Sequence, residues 1–398
     1  MIRHLITLMW NRKRANGLLI LEIFLAFVVL FAVGSVAVFS WRNYRAPLGF
    51  TYDDVWQIQL NPGTQPRAEQ FATLQQVLGR LRNTPGVVKV SRSVENTPFS
   101  FSNNTTQFRA VDGPNRPDVY GDVYDAGPEL RDVLDLRLVA GRWFDRRDEA
   151  PARHPPIVIT EMTQAALFPG GESAVGRLIR DNDKADYEVV GVSGPYRTAG
   201  ELSEPQPGYF LYISPQDTAR ALFTLLVRVQ PGSGGTLEKR ISDDIRAISA
   251  GGWTSGIITL PEQRVTRLKF DLALPLILSV VCLFLLVNVA LGLFGVLWLN
   301  INQRRSELGV RRALGATAGA ISAQVVGEVL VVTTFGLVLG LLVAMQFPLL
   351  GAFEVPAGVY ITAMGLAVVG LYVLATACAL YPGRLAAGIQ PAVALREE

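Results

Sequence analysis

Arg304-Arg305-Ser306-Glu307-Leu308-Gly309-Val310-Arg311-Arg312-Ala313-Leu314-Gly315-Ala316-Thr317 is wedged between two long apolar runs, roughly 272–299 and 325–347. Four arginines fall within nine residues. Arginines clustered beside an apolar run mark the cytoplasmic side of a membrane. Leu308, Val310 and Leu314 supply apolar spacing, which predicts a short helix at or just below the membrane surface. Gly315 can end that helix in the left-handed conformation, and Thr317 can cap the next one. The chain is therefore expected to leave the bilayer, form a helix suited to touching a soluble partner, and re-enter. The plainer reading of Glu307, Arg311 and Arg312 is a topology signal made of solvated charges. Gly309 and Gly315 either allow a close approach or shape the helix ends.

Working outward, 398 residues at 49% hydrophobic fit either several globular domains or a small membrane protein. The apolar residues gather at the two ends of the chain, whereas 46–268 reads like an ordinary soluble protein. Gly17–Ser40 is apolar except for Glu22 and would extend roughly 36 Å as a helix, enough to cross a bilayer. It is too long for a signal-peptide core, and no small-residue cleavage site follows it. Leu272–Leu299, Val325–Leu349 and Gly358–Tyr381 make four crossings in all. Pro261–Phe270 is expected to continue the second crossing outward as a stalk. The 300–324 loop and the N-terminal arm carry Lys and Arg, the 350–357 loop carries none, and Arg384 and Arg396 lie in the tail. Both termini are thus expected on the cytoplasmic side. Arg264, Arg267 and Lys269 are an exception, tolerated because they belong to a long exported segment. Residues 1–16 mix Ile2, Leu5, Leu8 and Trp10 with Arg3, Arg12, Lys13 and Arg14, as an amphipathic arm on anionic lipid would.

Between the first two crossings the alternation of Val55–Leu60 predicts a strand, the spacing of Leu74, Val77, Leu78 and Leu81 a helix over Gln65–Arg82, and Val87–Val94 a second strand. The same order returns in Leu222–Val229, Thr236–Ser249 and Trp253–Leu260. Two β-α-β units, about 55–96 and 216–260, thus bracket an insert at about 97–215. That insert shows candidate strands at Gln107–Val111, Asp118–Asp125, Pro156–Thr160, Tyr187–Ser193 and Tyr209–Ile213, and a helix at Glu161–Phe168. The fold class is a membrane α-helical protein, one crossing plus three, with a large α+β domain inserted between the first and second helices.

Several chemistries find no support. No G-x-x-x-x-G-K-[S/T] phosphate loop or G-x-S-x-G elbow occurs. The only histidines are His4 and His154, so neither a histidine metal site nor a Ser-His-Asp triad can be built. The net charge of +3 argues against a nucleic-acid surface. Cys282 and Cys378 lie inside apolar runs and read as free, buried thiols. The chain is expected to be non-catalytic. Polar side chains inside apolar runs are costly, which singles out Glu22, Asn288 and Glu328. Glu22 lies close enough to its helix start for interfacial solvation, and Glu328 is expected to bond another helix. Gly336 and Gly340, four apart, suit close helix packing, within one chain or across a dimer.

The loop Glu307–Ala316 resembles the cytoplasmic signature of the MacB/FtsX-type ABC permeases, the type VII ABC superfamily. Tyr381-Pro382-Gly383-Arg384 with Gln390–Arg396 is similar to their C-terminal ending. Leu138–Phe144, Ile157–Arg180 and Tyr187–Gly194 are similar to segments of their periplasmic domain. The resemblance implies a MacB-like periplasmic domain at 41–271 and an FtsX-like membrane domain at 272–398. It implies a coupling helix at about 302–315 that contacts an ATPase through Glu307, Leu308, Gly309, Arg311, Arg312, Leu314 and Gly315. ATP and Mg would be bound by a separate ABC ATPase subunit, because only a short arm precedes the first crossing here. The other implied partners are a second copy or a related permease, membrane lipids, a periplasmic adaptor and an outer-membrane channel. The location is the bacterial inner membrane. The implied activity is export or efflux by mechanotransmission, with FtsX-like activation of a cell-wall hydrolase or lipoprotein release as alternatives.

Overall fold

The computed structural model describes residues 13–112, 117–150, 152–182, 185–213 and 223–387. The arm read at 1–16 falls mostly outside them, as does the tail beyond Ala387. The chain divides into two compact units, Met1–Arg42 with Leu272–Glu398, and Asn43–Asp271.

The first unit is built from helices. Helix α1 (Lys13–Tyr44) supplies the first apolar span, Gly17–Tyr44. Three more helices are long and apolar enough to cross a membrane, within Leu260–Gln303, Ala318–Leu350 and Ala357–Ala386. Their buried residues form one core, in which Ile23, Phe27 and Phe31 of α1 meet Val289 and Leu293, Val329 and Leu337, and Ala363 and Ala367. Gly336 and Gly340 let α1 approach. A Cβ on Gly336 would lie 2.8 Å from Ile23 Cγ2, and one on Gly340 2.3 Å from Phe27 Cδ1. Of the two packing readings open for this pair, contact within one chain is the one observed.

The second unit carries the α+β domain. Strands β1 (Val55–Asn61) and β2 (Val87–Arg92) flank α2 (Arg67–Arg82). The insert then supplies β3 (Thr105–Ala110), β4 (Val119–Ala126), α3 (Leu130–Leu134), β5 (Leu138–Gly141), β6 (Pro156–Thr160), α4 (Glu161–Leu167), β7 (Leu178–Asp181), β8 (Asp186–Ser193) and β9 (Gly208–Tyr212). The repeat returns as β10 (Thr224–Val229), α5 (Gly235–Ile248) and β11 (Thr254–Thr259). The two halves interleave in one antiparallel sheet, ordered β11-β1-β10-β2. Leu74, Val77, Leu78 and Leu81 of α2 and Leu237, Ile241 and Ile245 of α5 pack with Trp56, Ile58 and Val227. Those helical residues recur at three- and four-residue intervals, which is what places them on one face. Alternation sends Val55 and Leu226 into a different core, with Phe50, Tyr124, Trp143 and Phe210.

The insert closes on itself. Its strands run β8-β6-β9-β4-β3-β7, and β7 pairs back onto β8, leaving β5 on the other part of the β8 edge. A closed sheet has no free edge to aggregate through. The short strands β5 and β7 escape sequence reading because four residues are too few to show alternation. The G-R-W-F segment lies here: Gly141 has φ +69°, and a Cβ there would sit 2.4 Å from the Val190 carbonyl oxygen. Arg142 forks onto buried Asp148 at 2.6 and 2.7 Å, and Trp143 and Phe144 are core residues.

Helix limits correct the sequence reading. Helix α6 (Leu260–Gln303) starts with the expected stalk and runs past 299. Helix α7 (Arg305–Ala313) is shorter than 302–315, because Arg304, at φ −109° and ψ 15°, breaks the helix. Helix α8 (Ala318–Ala344) begins well before 325 and is followed by α9 (Gln346–Leu350). Helix α10 (Ala357–Ala387) continues through Pro382 rather than ending there. Proline inside a helix removes one hydrogen bond but does not forbid continuation when packing holds both sides. Cys378 is half-buried rather than buried.

Replacing Gly340 by Ala overpacks the α1–α8 contact and should cost about 1–3 kcal/mol. Gly327→Ala is the control, since nothing lies within 4 Å of its Cβ position. Thermal unfolding in mild detergent should show a lower midpoint for Gly340→Ala alone; equal midpoints would remove the close-packing assignment.

Candidate functional site

Arg304 stands where the chain breaks between α6 and α7, and from it a closed ring of hydrogen bonds runs through both neighbouring helices. Arg304 Nε donates to Glu307 Oε2 at 2.9 Å, and its Nη1 to Glu328 Oε2 at 3.1 Å. Arg311 Nη2 donates to Glu307 Oε1 at 2.6 Å, and its Nη1 to Gln324 Oε1 at 2.8 Å. Gln324 Nε2 closes the ring on Glu328 Oε1 at 3.0 Å. The spacing explains the geometry. Arg304 precedes α7 at its N-cap, Glu307 follows three residues on and Arg311 four after that, while 324 and 328 are four apart on α8, so each set lies on one side. Arg304 and then Arg311 hold the Glu307 carboxyl below its usual range, against the opposing effect of partial burial. Glu307 and, with it, Glu328 raise the Arg304 guanidinium.

The members are not equal in weight. Glu307 and Arg311 are both well exposed, and such pairs contribute about 0.2–1 kcal/mol. Arg304 is mostly buried and Glu328 partly so. Their pairing lets a carboxylate sit within an apolar helix, where an unpaired charge at the centre costs roughly 2.5–3.5 kcal/mol on insertion scales.

Around the ring, α7 divides into two faces. Leu308 and Gly309 are buried, Leu308 within the helical core. Val310 is 42% and Leu314 83% exposed, so of the three apolar residues that set the spacing only Leu308 packs inward. Gly315 takes φ +99° and ends the turn, and Thr317 caps α8 by accepting from the Ala320 amide at 3.2 Å. Glu307, Arg311 and Glu328 are thus brought together, while Leu308 and Gly309 anchor the helix and Leu314 projects. Arg312 is half-buried. The sequence reading missed Arg304 and Gln324 as members; the three-plus-four spacing from Arg304 was the available signal.

The remaining polar candidates lie elsewhere. Glu22 is half-buried against α6, where a Cβ on Gly292 would come within 2.5 Å of its Oε1. It lies close to Gly292 of a neighbouring helix, an approach that sequence reading did not mark. Asn288 donates to the Phe284 carbonyl of its own helix at 2.8 Å.

A second polar junction lies in the Asn43–Asp271 unit. Buried Arg197 donates to four backbone carbonyls, of Asn43 (3.0 Å), Ala46 (2.8 Å), Glu201 (2.7 Å) and Ser203 (2.5 Å). Asn43 Nδ2 returns a bond to the Leu202 carbonyl at 3.1 Å. Arg264, on the first part of α6, pairs with Glu201 and lies over the Tyr52 ring. Arg267 bonds Asp271 and the Ser100 carbonyl and covers Phe101. The arginines that broke the charge rule are thus held by partners in the domain. Residues 43–46, 197–203 and 264–267 form a collar that sequence reading could not assemble, because its acceptors are mainly backbone.

With these geometries in place, comparison with known proteins is specific. The family model of the MacB-like periplasmic core domain matches residues 17–244, and that of the FtsX-like permease C-terminal matches 278–391. The macrolide export ATP-binding/permease protein MacB 1/2 of Paracoccus denitrificans is 29% identical over 270 residues, covering 67% of this chain and 39% of that protein. The MacB protein of Pasteurella multocida is 27% identical over 357 residues, 86% of this chain and 52% of that one. The chain thus spans about half the length, or less, of these curated relatives. The crystal structure of the periplasmic region of MacB from Actinobacillus actinomycetemcomitans aligns at 14% identity with a TM-score of 0.37, over 54% of this chain and 92% of that one.

Two outcomes test the site's internal geometry. In a double-mutant cycle, Arg304→Gln and Glu328→Gln should couple by about 1–3 kcal/mol in thermal stability, and Arg311→Gln with Glu307→Gln by less than about 1. Additive effects at the first pair would remove it as the ring's anchor. Arg197→Lys cannot reach four carbonyls, and each one left buried and unpaired costs about 1–3 kcal/mol. Hydrogen exchange across 43–46 and 197–203 should rise sharply in that variant; unchanged protection would dismiss the collar.

Proposed function

Since the chain belongs to the MacB/FtsX-type ABC transporter permeases, we propose that it is the permease subunit of an export or efflux complex driven by a separate ABC ATPase subunit. ATP and Mg are bound by that partner, and this chain supplies no catalytic residue. It sits in the bacterial inner membrane with four crossings, both termini in the cytoplasm and the 43–271 domain in the periplasm. The assembly contains two permeases, and the periplasmic domains work on substrate with an adaptor and an outer-membrane channel. Arginine clustering at 304–312 supports the orientation.

One observation carries the reading. Helix α7 is braced on one side by the ring, with Leu308 and Gly309 buried, and presents Val310 and Leu314 outward. A helix held rigidly on one face and apolar on the other fits a groove of a soluble partner. Motion received at α7 reaches α6 through Arg304. The same helix begins inside the Asn43–Asp271 domain, where Arg264 pairs with Glu201 and Arg267 with the Ser100 carbonyl. Mechanotransmission then consists of α7 displacement carried along α6 to that domain.

Leu314→Asp tests this directly, because Leu314 belongs to neither the ring nor the core. Co-purification of the ATPase subunit from native membranes should fall about tenfold, as for loss of an interface anchor. Permease-stimulated ATP hydrolysis should fall with it, while thermal stability stays unchanged. Arg311→Ala should lower both stability and stimulation. If wild type brings down no ATPase, or Leu314→Asp retains full stimulation, the coupling role of α7 fails.

A further inference from the structure

At the opposite end of α8 from the Arg304 ring, the helical unit holds a cavity of about 400 Å³. Its walls come from Phe31, Ser35 and Phe39 of α1, Val343 and Ala344 of α8, Phe347 of α9, and Phe353, Val355 and Tyr360 beyond. Volumes of about 300–1,000 Å³ are typical of pockets that enclose a small-molecule ligand. The lining is almost wholly apolar, and its two hydroxyl groups are already spent. Ser35 Oγ donates to the Phe31 carbonyl and Tyr360 OH to the Ala352 carbonyl, each at 2.8 Å. The lining thus offers no uncommitted hydroxyl proton to orient a headgroup, a sugar or a peptide. Five aromatic rings line the cavity, and Phe31, Phe347 and Tyr360 pack at centroid distances of 5.5–6.1 Å.

The rim says what fills it. The cavity opens between helices that are long and apolar enough to cross a membrane, and its lining residues Val36, Val343 and Phe353 are exposed apolar side chains. The medium at the mouth is therefore hydrocarbon. Phe353 is 82% exposed and held at φ +57°, a left-handed conformation that is strained for a bulky residue. Strain of this kind persists where the surrounding structure enforces it, and it clusters at ligand clamps. We propose that this cavity is a binding site for one acyl chain of a bilayer phospholipid, with Phe353 forming its lip. The chain enters from the bilayer and its headgroup stays outside. The site stands on the membrane helices alone, so it holds or fails independently of the ATPase coupling proposed above.

The test uses the full-length protein reconstituted in vesicles of phosphatidylethanolamine and phosphatidylglycerol, doped with a phospholipid carrying a photoreactive group in its acyl chain. Labelling mapped by peptide mass spectrometry should concentrate on Ser35, Phe39, Val343 and Phe353. After detergent extraction, native mass spectrometry should find one phospholipid retained per chain. Ser35→Phe, which fills the cavity, should lower retention about tenfold, the factor for excluding roughly two methylenes. Phe353→Ala opens the lip without filling the cavity and should lower retention too, which guards against a folding defect in the first variant. Val369→Phe, on an exposed face outside the cavity, is the control. Labelling spread evenly over the exposed apolar residues, or equal retention in Ser35→Phe and Val369→Phe, would reduce the bound chains to ordinary surrounding lipid and overturn the site.

Discussion

Glu328 is a carboxylate inside a helix apolar enough to cross a bilayer, and Arg304 is what makes it tolerable there. Much of the local architecture follows from that pairing. Arg304, whose guanidinium reaches Glu328 on α8, is outside the helical conformation, which ends α6 and starts α7. Once Arg304 is placed, its second pairing fixes Glu307, Glu307 fixes Arg311, and Arg311 returns to α8 through Gln324. A short nine-residue helix would be marginal alone. Here two side-chain paths and the burial of Leu308 hold it in one orientation.

The Asn43–Asp271 domain meets a related constraint by different means. Its first and last segments adjoin membrane-spanning helices, and its sheet is assembled from strands far apart in sequence. Interleaving β1 between β10 and β11 makes the second half of the repeat complete the first, so neither half has a finished core of its own. The insert avoids competing for those edges by closing its own sheet. What remains is to secure the chain where it enters and leaves. Arg197 does this by saturating backbone carbonyls on both sides of the collar, and the pairs of Arg264 and Arg267 add the start of α6. A guanidinium suits the task because its planar fork can serve several acceptors at once.

The parts of this architecture that rest on periodicity were legible in the sequence. The four spans, the two repeated β-α-β units and most strands of the insert follow from apolar runs and alternation. Thr317 as a cap and Gly315 as a stop follow from side-chain chemistry. Other parts had no such signal. Arg304 looks like one more basic residue in a basic loop until α8 places Glu328 beside it. Leu308, Val310 and Leu314 share one apolar pattern, yet only Leu308 is covered, because spacing alone does not say which face is buried. Glu22 against Gly292, and Arg197 against backbone carbonyls, join partners separated by long stretches of chain. Pro382 reads as a terminator from local rules, yet α10 passes through it, because tertiary packing overrides one missing hydrogen bond.

Exposed apolar surface is abundant here, and its meaning depends on where it lies. Leu276, Phe284 and Leu291 project from α6 within a segment apolar enough to span a bilayer, so hydrocarbon covers them at no cost. Leu314 is at least as exposed, but it lies between two spans, next to arginines that keep the segment in water. An apolar side chain there gains nothing from lipid, and its burial against a partner would be favourable. The ring ties the Glu307 and Arg311 face of α7 to α8 and takes no contact from Leu314. In the proposed coupling, α7 serves as the docking surface because it holds an apolar side chain away from both the core and the apolar spans, unlike the neighbouring helices.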